Sequence, residues 1–324
     1  MVKTLLAKIK NLRVLVVGDA MLDHYVWGDA TRVSPEAPVP VVRVERDSYA
    51  AGGAANVALN AAALGSEATM CGWIGDDEPG DRLTAVMREQ GVNFDEAFRS
   101  ANRETICKAR IMARNQQLCR VDRELAPESY ALDSSRDLNA LDAPIARADA
   151  VIVSDYGKGF VDEALIERAL SKRSSSSVVV ALDPKPRRRL RHEGVDLLTP
   201  NQTEALELAG LDKEEHRTFP AERVCAAIHE RYSPRCLAVT LGAEGMLLSE
   251  GGEVGETIPT AAREVFDVSG AGDTVVAALA LALAAGASFR EAAVLANAAA
   301  GVVVGKVGTA TTDSEEILTY LGEV

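Results

Sequence analysis

The sequence predicts an α/β fold: a doubly wound, mostly parallel sheet with helices on both faces and a small β-sheet lid. Three observations lead there. First, short apolar runs recur at residues 13–18, 150–154, 178–182, 196–199 and 236–241, and each ends in a polar loop. Continuous apolar runs of that length read as strands buried on both faces, the mark of parallel pairing. Second, helical stretches follow these loops, and strand–loop–helix repetition covers such a sheet on both sides. Third, two segments, about 24–48 and 95–122, break the pattern. Pro35, Pro38 and Pro40 fragment the first, while Val39, Val41, Val42 and Val44 point to edge-type β structure. Residues 105–112 and 118–121 alternate as strands around Arg114 and complete the same projecting sheet. The whole of 1–324 is expected to be one domain carrying that lid.

Composition narrows the function classes. The 324 residues are 47% hydrophobic and 26% charged, an ordinary globular balance. A formal net charge of −13 argues against nucleic acid or an acidic membrane surface as partner. A local Lys/Arg cluster can still hold a small anion. Cys71, Cys107, Cys119, Cys225 and Cys236 are odd in number and form no C-x-x-C pair, so no disulfide framework is expected and a reducing compartment fits. Cys225, His229 and Cys236 match no standard zinc spacing. Lys3, Lys8 and Lys10 interrupt the N-terminal apolar residues, unlike a signal peptide. The longest apolar run, 275–287, is too short to span a bilayer. A cytoplasmic location is expected.

In chain order, the first strand opens into Asp19-Ala-Met-Leu-Asp23. Ligands of open α/β sheets bind beyond the carboxyl ends of strands, so Asp19 and Asp23 are candidates for ligand hydroxyls. Turn formation is the plain alternative for Asp19. Gly52 and Gly53 precede an apolar helix reaching Leu64, with Asn56 in its first turn. A strand at 68–74, a loop at 75–80 and a helix at 82–91 follow. Arg110, Arg114 and Arg120 lie on the hairpin and could grip a phosphate bidentately or form surface ion pairs. Lys158 and Lys185 follow strand ends and are plausible phosphate contacts. The basic run 187–191 reads as a solvated helix face. Asn201 and Glu204 share one face of a helix start. They either close a capping box or hold Mg²⁺ through its water shell beside a nucleotide's phosphates.

The densest chemistry lies at 267–275, between a strand-like segment at 264–267 and an Ala/Leu-rich helix starting near Thr274. Gly270, Ala271 and Gly272 let the backbone approach a ligand, and first-turn N–H groups attract anions. Asp273 at that mouth would repel phosphate. It makes sense if it takes a proton from the hydroxyl that attacks the phosphate; the plain alternative is a helix N-cap. Apolar helices at 275–285 and 289–304 follow. Residues 301–306 do not satisfy a P-loop, and no G-x-G-x-x-G follows the first strand, which counts against a dinucleotide-dependent dehydrogenase.

Taken together, Gly52-Gly-Ala-Ala-Asn56, Asn201-x-x-Glu204 and Gly270-Ala-Gly-Asp273 resemble the ribokinase-type (phosphofructokinase-B) sugar kinase family over nearly the whole chain. Gly18-Asp-Ala-Met-Leu-Asp23, Val33-Ser-Pro-Glu-Ala-Pro-Val-Pro40 and Arg114-Asn-Gln-Gln117 are similar to one branch of it. That branch phosphorylates the anomeric hydroxyl of D-glycero-D-manno-heptose 7-phosphate for lipopolysaccharide precursor synthesis. The resemblance implies ATP and Mg²⁺ as cofactors, with a monovalent cation such as K⁺ as a further candidate. It implies that Asp273 is the base and that the N–H groups from Gly270, Ala271 and Gly272 to Asp273 form the anion hole. Asn201 and Glu204 would organise Mg²⁺ and, with Gln202 and Thr203, border the ATP. Gly242, Val268, Asn297 and Gly301 would wall the nucleotide. Asp23, Gly52, Gly53 and Asn56 would hold sugar hydroxyls, and Arg110, Arg120, Lys158 and Lys185 are candidates for the 7-phosphate. Some members dimerise through the lid, so a homodimer is expected. Bifunctional relatives add a nucleotidyltransferase; the chain lacks an H-x-G-H motif, so the stand-alone form is expected. Two other readings stay open: a kinase of the same family acting on another sugar, sugar phosphate or nucleoside, and a ligand sensor on a kinase scaffold.

Overall fold

A computed structural model describes residues 2–114, 116–133, 135–175, 177–186, 190–212 and 218–322. The chain begins with α1 (Val2–Ile9), β1 (Arg13–Gly18), β2 (Ala20–Val33), β3 (Pro40–Gly53), α2 (Ala54–Ala63), β4 (Glu67–Cys71), β5 (Ile74–Gly75) and α3 (Glu78–Glu89). It continues through β6 (Asn93–Phe94), β7 (Arg99–Ser100), β8 (Ile106–Ala113), β9 (Gln116–Arg123), α4 (Asp137–Ala140), α5 (Asp142–Arg147), β10 (Ala150–Ser154), α6 (Glu163–Lys172) and β11 (Val179–Asp183). The last part holds β12 (Leu197–Leu198), α7 (Gln202–Ala209), α8 (Ala221–Tyr232), β13 (Cys236–Thr240), β14 (Met246–Glu250), β15 (Glu253–Ile258), α9 (Ala271–Ala284), α10 (Phe289–Val303) and α11 (Ser314–Leu321).

Nine strands form the main sheet in the order β15-β14-β13-β12-β11-β10-β1-β4-β6. Pairing is parallel from β13 through β6, and β14 and β15 add an antiparallel edge. Side chains alternate across the parallel strands. Val14, Val16 and Ile152 join one core with α1, α2, α9 and α10, while Leu15, Val17 and Val153 join the other with α5 to α8. Both faces are thereby dry, as a parallel sheet requires. Every residue of α9 from 273 to 282 is buried, which explains why this helix carries no polar face.

Strand order reverses beside β1: the chain moves one way to β4 and the other way to β10, β11, β12 and β13. Such a switch point opens a crevice at the carboxyl ends of the strands. Gly18 sits at its floor, where a Cβ would meet the Ser154 carbonyl oxygen at 2.1 Å. The lid is a separate sheet in the order β3-β2-β8-β9. It leaves the body directly after Asp19 and returns at Gly53, which precedes α2 with φ 57°. The lid strands are longer than the excursion at 24–48 implied, because β2 and β3 pair from Ala20↔Gly53 outward to Val33↔Pro40.

Several expectations need correction. Residues 264–267 form no strand. Phe266 and Asp267 N–H both donate to the Val304 carbonyl, and the Asp267 carboxylate accepts from Ser269 and Gly308 N–H, so a loop contact replaces a ladder. Helix α9 begins at Ala271 rather than near Thr274, since Gly270 adopts φ 79° and serves as the cap position. Helix α3 begins at Glu78 rather than at 82, because the Asp77 side chain accepts from Gly80 N–H and Pro79 occupies the first turn. The strand expected at 68–74 splits into β4 and β5 in different sheets; Gly72 intervenes, packed so that a Cβ would meet the Gly18 carbonyl oxygen at 2.3 Å. The basic run at 187–191 falls mostly outside the described residues, and its last two are not helical. All five cysteines are free, and no described helix is long and apolar enough to cross a membrane.

Candidate active site

Asp273 is the third residue of α9, buried to 5% exposure, and its side chain caps nothing. Instead Oδ2 accepts from Asn56 Nδ2 at 2.6 Å, and Oδ1 accepts from the Tyr156 hydroxyl. The Asn56 orientation is fixed from behind. Asn60 Nδ2 donates to the Asn56 carbonyl at 2.9 Å, and Thr274 Oγ1 donates to Asn60 Oδ1 at 2.7 Å. This closed network joins α2 to α9 without an unmatched polar atom. Gly270 completes the join, since a Cβ there would meet Asn56 Nδ2 at 2.7 Å. Burial pushes the Asp273 pKa up to about 6, the Tyr156 and Asn56 hydrogen bonds pull it down, and the charge of Asp23 pushes it up. A carboxyl tuned near neutrality suits proton abstraction.

Asp273 lines a cleft of about 210 Å³ together with Asp155, Tyr156, Asp183, Pro184, Lys185, Thr199, Asn201, Glu204, Thr240, Gly270 and Gly272. These residues end or follow β10, β11, β12 and β13, or open α9, so one crevice gathers them all. The positive end of α9 opens into it. Asn201 and Glu204 close a capping box on α7: Glu204 N–H donates to Asn201 Oδ1, and Asn201 N–H to Glu204 Oε2, both at 3.0 Å. Glu204 Oε1 also accepts from Lys185 Nζ at 2.9 Å. The box orients both side chains at the cleft wall. Asp183 is a residue the sequence reading passed over. Its burial and the charges of Asp273 and Glu204 push its pKa well above the usual carboxylate range.

The cleft lining includes Asn201 and Glu204 of the expected nucleotide residues. Gln202, Thr203, Gly242, Val268, Asn297 and Gly301 are not in its lining. Asn297 fixes the 259–261 loop, donating to the Pro259 carbonyl at 2.7 Å and accepting from Ala261 N–H. Gly301 lets Tyr320 pack on α10, where a Cβ would meet its hydroxyl at 3.0 Å. Gly242 opens a short turn after β13, and Val268 is 68% exposed.

The lid supplies the other side. Asp23 is buried and accepts from Arg110 Nη1 at 2.6 Å. Gly52 lies against it, with a Cβ there only 2.8 Å from Asp23 Oδ2. Gly53 packs on Asp19 O and Met21. Each predicted cation has a carboxylate: Arg110 with Asp23, Arg120 with Asp122, Lys158 with Glu124 and Lys185 with Glu204. Lys108 was missed. It stands on the Asp23–Arg110 face, in register with Asp23 and Asp122, and has no hydrogen-bond or ion-pair partner among the described residues. Burial and then the neighbouring Lys158 lower its pKa. The period of two that put Arg110 on this face also puts Lys108 there.

Tyr156 was missed as well: residues 155–159 read as a ligand-side loop after a buried strand, but nothing local distinguishes the phenol within it. Among the described residues no three His, Cys, Asp or Glu side chains converge to hold a metal.

This architecture is that of the ribokinase-like phosphotransferases, which act on a hydroxyl acceptor. Solved structures of the same fold include Arabidopsis thaliana ribokinase complexed with ribose and ATP, with TM-score 0.72 and 24% identity over 96% of this chain and 99% of that one. Another is Escherichia coli phosphofructokinase-2 in complex with fructose-6-phosphate, with TM-score 0.71 and 18% identity over 97% and 98%. The description of the pfkB family carbohydrate kinases matches residues 11–316, and the chain belongs to that family. Curated relatives named bifunctional protein HldE are 43% identical in Aeromonas salmonicida, over 98% of this chain and 66% of theirs. In Desulfatibacillum aliphaticivorans the figures are 40%, 96% and 63%. The chain thus spans about two thirds of the length of the relatives it matches.

Proposed function

We propose that this kinase transfers the γ-phosphoryl group of ATP to the anomeric hydroxyl of D-glycero-D-manno-heptose 7-phosphate, giving the 1,7-bisphosphate for lipopolysaccharide precursor synthesis. The observation that carries the reading is one face of the lid. Lys108, Arg110 and Arg120 share it with Asp23, and Lys158 stands beside them. Such a cluster beside a hydroxyl-binding carboxylate fits a sugar already bearing a phosphate. The similarity to proteins named HldE supports the same choice.

In this reading the sugar lies between the lid and α9, its ring hydroxyls meeting Asp23, Asn56 and the Gly52–Gly53 backbone. Asp273 takes the proton from the acceptor hydroxyl as its oxygen attacks the γ-phosphorus. The N–H groups where α9 begins, at the cap residue Gly270 and at Ala271 and Gly272, would receive the charge that spreads over the transferred oxygens, with Ala271 N–H giving up its 3.2 Å bond to the Val268 carbonyl. Asp155, Asp183 and Glu204 face a cleft with Lys185 as the cation among its lining residues. That acidic excess, in a space meant for polyphosphate, fits a divalent cation held by one or two carboxylates, water and the nucleotide. Asn201 and Glu204 would hold Mg²⁺ there, and it would neutralise charge on the β- and γ-phosphates. The apolar residues exposed on the lid, Val44, Leu118 and Val121, are consistent with a homodimer formed through it.

A coupled ADP-release assay across sugars and sugar phosphates tests the proposal. Strong preference for a phosphorylated seven-carbon sugar is the expected result. Preference for an unphosphorylated sugar or a nucleoside would move the chain to another branch of its family. Absence of any sugar-dependent ADP release would favour a sensor.

A further inference from the structure

Tyr156 lies in the loop after β10, and the surrounding sequence is spent on placing it. The buried Asp19 carboxylate accepts from the N–H groups of Tyr156 at 2.8 Å, Lys158 at 3.0 Å and Phe160 at 3.1 Å. Asp155 Oδ1 accepts from Gly157 N–H at 2.7 Å. Gly157 and Gly159 adopt φ of 70° and 117°, and a Cβ on Gly159 would meet the Pro127 carbonyl oxygen at 2.0 Å. A loop held at so many points has little freedom. It delivers the phenol to one atom, Asp273 Oδ1, across the crevice. Asn56 takes the other oxygen.

We propose that Tyr156 is a positioning residue for phosphoryl transfer: its hydroxyl donates to Asp273 Oδ1 and holds that carboxylate ionised and aimed at the acceptor hydroxyl. The inference rests on reading Asp273 as the base. Each carboxylate oxygen keeps a second lone pair for the substrate. In the step itself the acceptor O–H proton passes to Asp273, the new O–P bond forms, and the bond from the γ-phosphorus to the β,γ-bridging oxygen breaks with its electrons leaving on ADP. The phenol proton stays on Tyr156. Burial and the nearby Asp273 charge push the Tyr156 pKa well above its ordinary value, so it remains a donor. Without that donor, burial would push Asp273 further toward its protonated, inactive form.

The test is the pH dependence of kcat/KM in the full chain carrying Tyr156→Phe. Loss of a hydrogen bond to a charged acceptor should raise the pKa of the acidic limb by about 1 unit or more. The deficit is then roughly fivefold near pH 6, approaches roughly tenfold below about pH 5 and shrinks away above about pH 8. A deficit equal at every pH, with the limb unmoved, would mean that Tyr156 only packs the loop. Site-specific 3-fluorotyrosine at 156 keeps the shape and sharpens the donor, so the limb should move down; an unmoved limb there also overturns the proposal. Asp273→Asn separates the two claims. If it turns over normally, the base assignment fails and this inference with it. If it is inactive while Tyr156→Phe leaves the limb in place, only the role of Tyr156 falls.

Discussion

Replacing Asp273 with Asn keeps the size of the side chain and removes the proton acceptor. Turnover is expected to fall by roughly 10²–10⁴, the usual range for a general base, with nucleotide binding retained. Steady-state kinetics alongside ADP titration checks this. The same variant should be more stable than the parent at neutral pH. The Asp273 pKa is raised from 3.8 to about 6, so the folded state disfavours the ionised form. Stability is unaffected below the lower value, where the group is protonated in both states, and falls as pH rises between the two. The shift corresponds to roughly 3 kcal/mol at most. Thermal melts of both proteins should therefore converge below about pH 4 and separate above about pH 6. Lys108→Ala should raise KM for a phosphorylated sugar by roughly 10–100-fold and leave that for ATP unchanged, as expected for losing one charged hydrogen bond. Equal KM values in parent and variant would remove Lys108 from the substrate site. Glu204→Ala should raise the Mg²⁺ concentration needed for half-maximal rate. An unchanged Mg²⁺ titration would leave Glu204 as a helix cap alone, the role its hydrogen bonds already show.

At the scale of elements, the glycines that matter are those where backbone meets side chain. Gly270→Ala places a Cβ in a left-handed residue and against Asn56 Nδ2 at 2.7 Å. A cost of roughly 1–2 kcal/mol for the backbone, with further loss from displacing Asn56, is expected, and chemical denaturation measures it. Activity should fall with it, because Asn56 and Asp273 move together. These elements also show what sequence can and cannot convey. The buried strands were legible because burial on both faces leaves an uninterrupted apolar run, as in Val14 to Val17. The helix after Gly270 was legible as a helix but not in its start: a left-handed Gly at the cap moves the first turn back by about one turn of the chain. The segment at 264–267 looked like a strand because Val265 and Phe266 are apolar, yet both are largely exposed, and the Phe266 and Asp267 amides meet the one carbonyl of Val304, the residue that caps the end of α10. Partners supplied from distant sequence leave no local pattern. That is why Asp273 was singled out and its two donors, Asn56 and Tyr156, were not joined to it; they lie 217 and 117 residues away.

For the molecule as a whole, the nine-stranded sheet and the four-stranded lid share one covalent path. Val44, Leu118 and Val121 are exposed on the smaller sheet, and all of β9 faces solvent. If the proposed dimer forms there, Val44→Asp with Val121→Asp should halve the sedimenting mass. A parent that already sediments as a monomer would remove the lid interface. The smaller sheet also has an unusual attachment. One root follows Asp19, the residue that clamps the Tyr156 loop; the other is Gly53, three residues before Asn56. The two roots therefore reach the donors of Asp273 by different routes: three residues of backbone lead from Gly53 to Asn56, and the hydrogen bonds of the Asp19 carboxylate lead to the Tyr156 loop. A substitution that shifts either root is thus expected to disturb Asp273 along with the sugar side of the cleft.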